Sequence, residues 1–185
     1  MLHLRFLRKQ FEDRKINDVF PAKVAASNLF VLLSVYEFYC LLLAKEVEKL
    51  APKKLAEIRG SGITRIHSYL SHCNIEVPSG LFYEQVGASI LMRNILFHAN
   101  GVLRLSREEN EIRRVVRTQS YLPSDVRENF VEHPPEKPLV EIREGELGEE
   151  LLISTGYPHV AAGFARGHLI DLCWRSSKIF RSDEP

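Results

Sequence analysis

Residues 24–44 run for about 21 positions with a single charge, Glu37. A run of that length and polarity folds as one long helix, either across a bilayer or inside a helical bundle. Ser27, Asn28 and Ser34 interrupt its apolar character. A carboxylate near the bilayer centre costs roughly 2.5–3.5 kcal/mol on insertion scales. The run is therefore read as a core helix over residues 22–50, buried on most sides, beginning after Pro21 and stopped by Pro52. No membrane partner is expected. The opening 14 residues are broken by charge throughout and do not read as a signal peptide.

The other segments must pack on that helix. Residues 2–18 carry a helical pattern (Leu4, Leu7, Phe11, Ile16). Gly60-Ser61-Gly62 is a break, and Ser61 is placed to cap a short helix over residues 62–73 with Ile63, Ile66 and Leu70 on one face. A turn is expected near Asn74. Helical periodicity returns over residues 81–100, where Pro78 and Ser79 offer a start and Asn100-Gly101 a stop. Ser106 and Glu109 have capping-box spacing ahead of a helix over 106–116. Residues 121–138 hold four prolines and much charge, and read as a surface loop. Strand-like runs at 139–142 and 150–153 flank a Gly-containing turn, which predicts a hairpin. A last helix is expected over 157–180. The fold class is all-α, a helical bundle with one small β-hairpin near the C-terminus, in a single domain with its core at residues 22–118.

Composition excludes some classes of function. The chain has 185 residues, 45% of them hydrophobic and 26% charged, with a net charge of +1. That balance builds an ordinary core. It argues against a protein that coats nucleic acid through many phosphate contacts, although a local basic cleft remains compatible with it. Cys40, Cys73 and Cys173 are odd in number and widely spaced, so reduced thiols in a cytoplasmic protein are expected. No phosphate loop, nucleophile elbow or zinc-ligand cluster occurs, and neither metal nor cofactor is expected.

The residues best placed for chemistry are Arg93-Asn94-Ile95-Leu96-Phe97-His98, followed by Ala99-Asn100-Gly101. Asn94 and His98 are one turn apart and share a face. Arg93 is about 140° from His98 around the helix, so only its long side chain could bring the guanidinium to the imidazole. The expected stop at Gly101 puts His98 in the last turn. An imidazole can take the proton of a ribose 2′-hydroxyl, and a guanidinium can hold the phosphate that the oxygen attacks. That chemistry needs no metal.

This segment resembles the signature of the HEPN superfamily: an Arg, a polar neighbour, a few intervening residues, then His. The run Ser34-Val35-Tyr36-Glu37-Phe38-Tyr39 resembles the family's acid-bearing opening helix. Gly62-Ile63-Thr64-Arg65-Ile66 through Leu70 resembles its short second helix, and His98-Ala99-Asn100-Gly101 its motif ending. The resemblance spans residues 25–116. It implies a homodimer in which two Arg/His sets form one cleft. It further implies an RNA substrate cut to a 2′,3′-cyclic phosphate, and a toxin or defence role held in check by a cognate antitoxin or inhibitor protein. His98 would then be the acid/base, Arg93 the phosphate clamp and Asn94 an orienting residue, with Asn100 in support. One toxin branch carries a modifiable Tyr two residues after the His. Here that position is Asn100, which puts such control in doubt. A catalytically idle HEPN adaptor that binds RNA, nucleotide or protein is the alternative.

The remaining polar residues divide between functional and structural readings. Glu37 either orients Arg93 or is satisfied by another helix or by solvent. Arg104 and Arg107, with Arg113, Arg114 and Arg117, either line an RNA cleft or belong to a salt-bridged solvated helix among Glu108, Glu109 and Glu111. His67 and His72 read as surface residues, and His159 and His168 as unremarkable.

Overall fold

The computed structural model describes residues 9, 12–13, 15–132 and 136–181, so most of the helix expected over residues 2–18 lies outside the described residues. The long apolar run forms α1 (Phe20–Glu48), entered through a π-helical turn at Lys15–Val19. Pro21 does not separate two helices. It occupies the first turn of α1, where a fixed φ suits the helix and its missing N–H leaves no vacant bond. The chain then makes a 3₁₀ turn at Leu55–Glu57, α2 (Gly62–His72), α3 (Tyr83–His98) and a second 3₁₀ turn at Leu103–Leu105. α4 (Glu109–Thr118), α5 (Ser124–Glu132), β1 (Val140–Gly145), β2 (Gly148–Ile153) and α6 (Tyr157–Arg181) complete it. The architecture is all-α with one antiparallel hairpin, Val140 opposite Ile153 and Gly145 opposite Gly148.

α1 is buried along one stripe and not, as its composition predicted, on most sides. Ala25, Leu29, Leu33, Tyr36, Cys40, Ala44 and Val47 are buried. Their spacing of three and four residues makes one seam, against which α2, α3 and α6 pack. The opposite face is apolar and exposed at Val31, Val35, Phe38, Tyr39 and Leu42. α1 is also the one helix among the described residues long and apolar enough to cross a membrane.

Two further expectations are corrected. Residues 121–138 contain α5, because the prolines at 123, 134, 135 and 138 flank the helix rather than interrupt it. Val126 and Phe130 of α5 pack on the core, half-buried. The capping box at α4 does not form: Ser106 Oγ accepts the Glu108 N–H at 3.1 Å, while Glu109 turns to Arg113 at 2.7 Å.

The end of α3 is anchored from two directions. Asn100 and Gly101 both have positive φ, 53° and 88°. The Ile95 carbonyl accepts the N–H groups of Ala99 and Gly101 at 3.0 and 3.1 Å. Gly101 then gives its carbonyl to the Leu151 N–H at 2.8 Å, joining the motif helix to β2. A β-carbon at 101 would lie 3.0 Å from the Leu151 carbonyl oxygen. Lys23 of α1 donates to the Asn100 side chain from the other side. Gly101→Ala is accordingly expected to cost at least about 1–2 kcal/mol, from the left-handed backbone alone. Urea denaturation read by circular dichroism checks this; an unchanged midpoint contradicts it.

Candidate functional site

α3 holds the motif residues on three sides of one helix. Met92 and Ile95 face the core. Phe97 turns toward α1 and stacks on Phe30, ring centroids 4.9 Å apart and nearly parallel. Arg93 is one turn from Phe97 and half-buried. Its Nε is buried with no hydrogen-bond partner, and its guanidinium forms no ion pair among the described residues. His98 is exposed, its ring edge-on to Phe97 at 5.2 Å. Asn94, one turn before His98, lines a cavity of about 830 Å³ between α2, α3 and α4.

The structure thus places His98 at an accessible helix end, as its spacing from Gly101 predicts, and leaves Arg93 without a hydrogen-bond or ion-pair partner among the described residues. No hydrogen bond or ion pair joins the two within the chain. The Glu37–Arg93 pairing is not formed either. Glu37 leans instead on the first residue of α2, with Oε1 3.3 Å from where a β-carbon on Gly62 would sit. The positive end of that helix is a favourable place for a carboxylate. Asn100 is committed to Lys23. The two arginines set aside for RNA part company: Arg107 lines the cavity, whereas Arg104 lies against the hairpin turn at Gly148. Arg113 holds Glu109 and Glu149, and Arg114 holds Glu111. Those two arginines follow the salt-bridged reading. Among the described residues no group of His, Cys, Asp or Glu side chains has the arrangement of a metal site.

The structure reveals a polar centre that the sequence reading missed. His168 is fully buried and His67 half-buried, so neither is a plain surface residue. The Tyr36 hydroxyl lies 2.7 Å from His168 Nδ1 and 3.1 Å from His67 Nε2. One hydroxyl of α1 therefore links α2 and α6. With both contacts formed, one ring donates to the Tyr36 oxygen and the other accepts its hydrogen. His168 Nε2, on the other side of the buried ring, is buried with no hydrogen-bond partner among the described residues. His67 and the adjacent Tyr83 both line the cavity, their rings 6.0 Å apart. The signal available in the sequence was spacing: His168 is four residues from Phe164 and four from Leu172, on the buried face of α6.

Burial pushes both imidazoles down from 6.5 to about 4. His168 adds a like-charge penalty at His67. At His168, Asp171 opposes the shift and Arg175 reinforces it. Both rings are neutral at pH 7. Burial also pushes the Cys40 thiol up to about 12 and raises the Tyr36 hydroxyl. Cys40, Cys73 and Cys173 are free thiols.

No protein-family model, curated protein or solved structure matches the chain.

An acid-linked stability follows from the histidine pair. The unfolded chain takes up protons near pH 6.5, while the folded rings resist until about pH 4. Stability therefore falls as pH is lowered through that window. His168→Gln is expected to flatten the fall in thermal midpoint between pH 6.5 and 4 by about half, since one of two similar groups is removed. Scanning calorimetry of both proteins decides it, and parallel profiles would contradict it.

Proposed function

We propose that the chain is a metal-independent endoribonuclease of the HEPN type, acting as a homodimer in the cytoplasm. The observation that carries this reading is an exposed His98 at an anchored helix end, with Arg93 on the same helix and, among the described residues, no carboxylate neutralising it. A buried guanidinium nitrogen without a partner is a costly feature in a structural residue and a useful one in a phosphate clamp. In the proposed reaction His98 takes the proton from a ribose 2′-hydroxyl. The oxygen attacks the adjacent phosphorus, the bond from phosphorus to the 5′-oxygen breaks, and the leaving oxygen takes the proton that the imidazolium had gained. The products are a 2′,3′-cyclic phosphate and a 5′-hydroxyl. Arg93 stabilises charge on the phosphoryl oxygens and Asn94 orients the ribose.

The absence of a direct Arg93–His98 contact within one chain fits a site completed by a second copy. The exposed apolar face of α1 supports such pairing. It includes a groove of about 440 Å³ lined by Phe30, Val31, Val35, Phe38 and Tyr39, and Phe30 stacks on Phe97 beside His98. By the same sequence resemblance, the proposed setting is a toxin or effector in a defence system with a cognate antitoxin or inhibitor protein. The same lack of contact favours the second reading, a catalytically idle HEPN adaptor built on the same dimer.

Labelled structured RNA incubated in EDTA is expected to acquire cyclic-phosphate ends. His98→Ala should lower the rate by roughly hundredfold or more, the scale of a lost general base. Arg93→Ala should do likewise while remaining dimeric by light scattering. Cleavage that EDTA abolishes, or that His98→Ala retains, overturns the nuclease. Dimers that never cleave establish the adaptor.

A further inference from the structure

The chain between α2 and α3 lies against α6 at His168. A β-carbon on Gly80 would sit 3.1 Å from His168 Nε2 and 2.9 Å from the Val77 carbonyl oxygen. Gly80 therefore covers a fully buried imidazole, and the covered Nε2 has no hydrogen-bond partner among the described residues. A sealed ring nitrogen of this kind works against the closed arrangement, because water would satisfy it if the cover lifted. Phe82 works against closure as well. Its φ of 58° is in the left-handed region, which a bulky side chain enters only at a cost. Its ring is held on Phe164, centroids 5.1 Å apart, and against Gly167, where a β-carbon would come within 2.7 Å of it.

What keeps the cover down is polar and comes from two residues of α6. Asp171 accepts the Leu81 N–H at 3.0 Å. Arg175 donates to the Ser79 carbonyl and hydroxyl, both at 3.0 Å, to the Glu76 carbonyl at 3.3 Å, and to Asp171 at 2.7 Å. Apolar burial contributes little here, since Pro78, Ser79 and Leu81 are exposed. Ile75 and Val77, just before them, are buried in the core. The anchored part of the connection thus ends at Val77. Few buried apolar contacts and hydrogen bonds close to solvent are the marks of a segment that opens by itself.

We infer that residues 78–81 form a flap, latched by Arg175 and hinged between Val77 and Phe82, whose opening bares the His168 imidazole and joins it to the cavity between α2, α3 and α4. Val77 and Pro78 already line that cavity, as His67 does. With the flap open, one space holds two imidazoles, their centroids 5.5 Å apart and linked by the Tyr36 hydroxyl. The flap involves neither Arg93 nor His98, so the inference stands apart from the nuclease.

Two readouts on the full chain test it: amide hydrogen exchange by NMR, and acylation of His168 by diethyl pyrocarbonate at pH 7, read by peptide mass. The exposed His159 of the same helix is the reference for reagent strength. In the parent, the Leu81 amide should exchange, and His168 should react, faster than the amides of Met92 and Leu172 exchange, since those report global unfolding. Arg175→Gln should raise both flap rates roughly tenfold or more, the loss of charge-assisted hydrogen bonds, and leave Met92 and Leu172 as in the parent. Gly80→Ala should raise the His168 rate independently, because the methyl group meets the Val77 carbonyl and the imidazole. Circular dichroism confirms that each variant is folded. Reaction of His168 only at the rate of global unfolding overturns the inference. So do flap rates unaltered in both variants, or a rise shared equally by Met92 and Leu172, which would make Arg175 a general stabilising residue and not a latch.

Discussion

The fold depends on one buried seam. Ala25, Leu29, Leu33, Tyr36, Cys40, Ala44 and Val47 give α1 a stripe barely wider than a coiled-coil face. Small residues near both ends of the stripe, Ala25 and Ala44, leave room for neighbouring elements to approach. Burying such a stripe is what makes a 29-residue helix worth ordering, because local propensity alone contributes little beside the entropy of fixing the backbone. With α1 in place, α2, α3 and α6 each have a wall to pack on, and β2 also reaches α1 directly.

Within that seam one polar side chain orients the assembly. Apolar packing constrains helices loosely, since it is insensitive to small rotations and slides. A buried hydroxyl between two imidazoles is not. Displacing α2 or α6 by a fraction of a turn would strand Tyr36 or a ring nitrogen without a partner, at a cost of about 1–3 kcal/mol per group. The polar chain from His67 through Tyr36 to His168 thus sets the register of three helices. The segment before α3 is held to the same helix. Asp171 accepts the Leu81 N–H at 3.0 Å, and Arg175 bonds the Ser79 carbonyl and hydroxyl, both at 3.0 Å. Gly80 fits there because a β-carbon would lie 2.9 Å from the Val77 carbonyl oxygen and 3.1 Å from His168 Nε2.

What could be read from the sequence was what is local. The α2 start at Gly62, the hairpin, and the end of α3 before Asn100-Gly101 follow from turn chemistry and short-range periodicity, and the structure has them, although the Ser61 side chain makes no capping hydrogen bond at α2. α5 was hidden because prolines were counted rather than placed: those at its two ends permit the nine residues between them to coil. α1 was recognised as a helix but its surroundings were misjudged, since composition gives the amount of apolar surface and not how much of it neighbours cover. The His67–Tyr36–His168 chain joins positions 31 and 132 residues apart, beyond any pattern within one helix. Arg93, Asn94 and His98 were legible as a motif. Their division among the sides of α3 depends on which helices flank it.

That division gives α3 two chemically different flanks. Toward α1, Phe97 stacks on Phe30 beside an exposed apolar surface, and Arg93, one turn before Phe97, keeps a buried Nε without a hydrogen-bond partner among the described residues. Toward α2 and α4, Asn94 opens on a cavity that the half-buried His67 also lines. His98 lies one turn beyond Asn94 and beside Phe97, at the point where the two flanks meet. One route between the flanks runs through the last turn of α3, and another through Tyr36, which ties α1 to His67 at the cavity. That turn is the part of the helix clamped by Lys23 and by the Gly101–Leu151 bond. A rigid junction of this kind holds an imidazole still for chemistry, and it transmits displacement poorly. Coupling through this turn would then require the hairpin or the start of α1 to move with the helix end, because those are the groups that hold it.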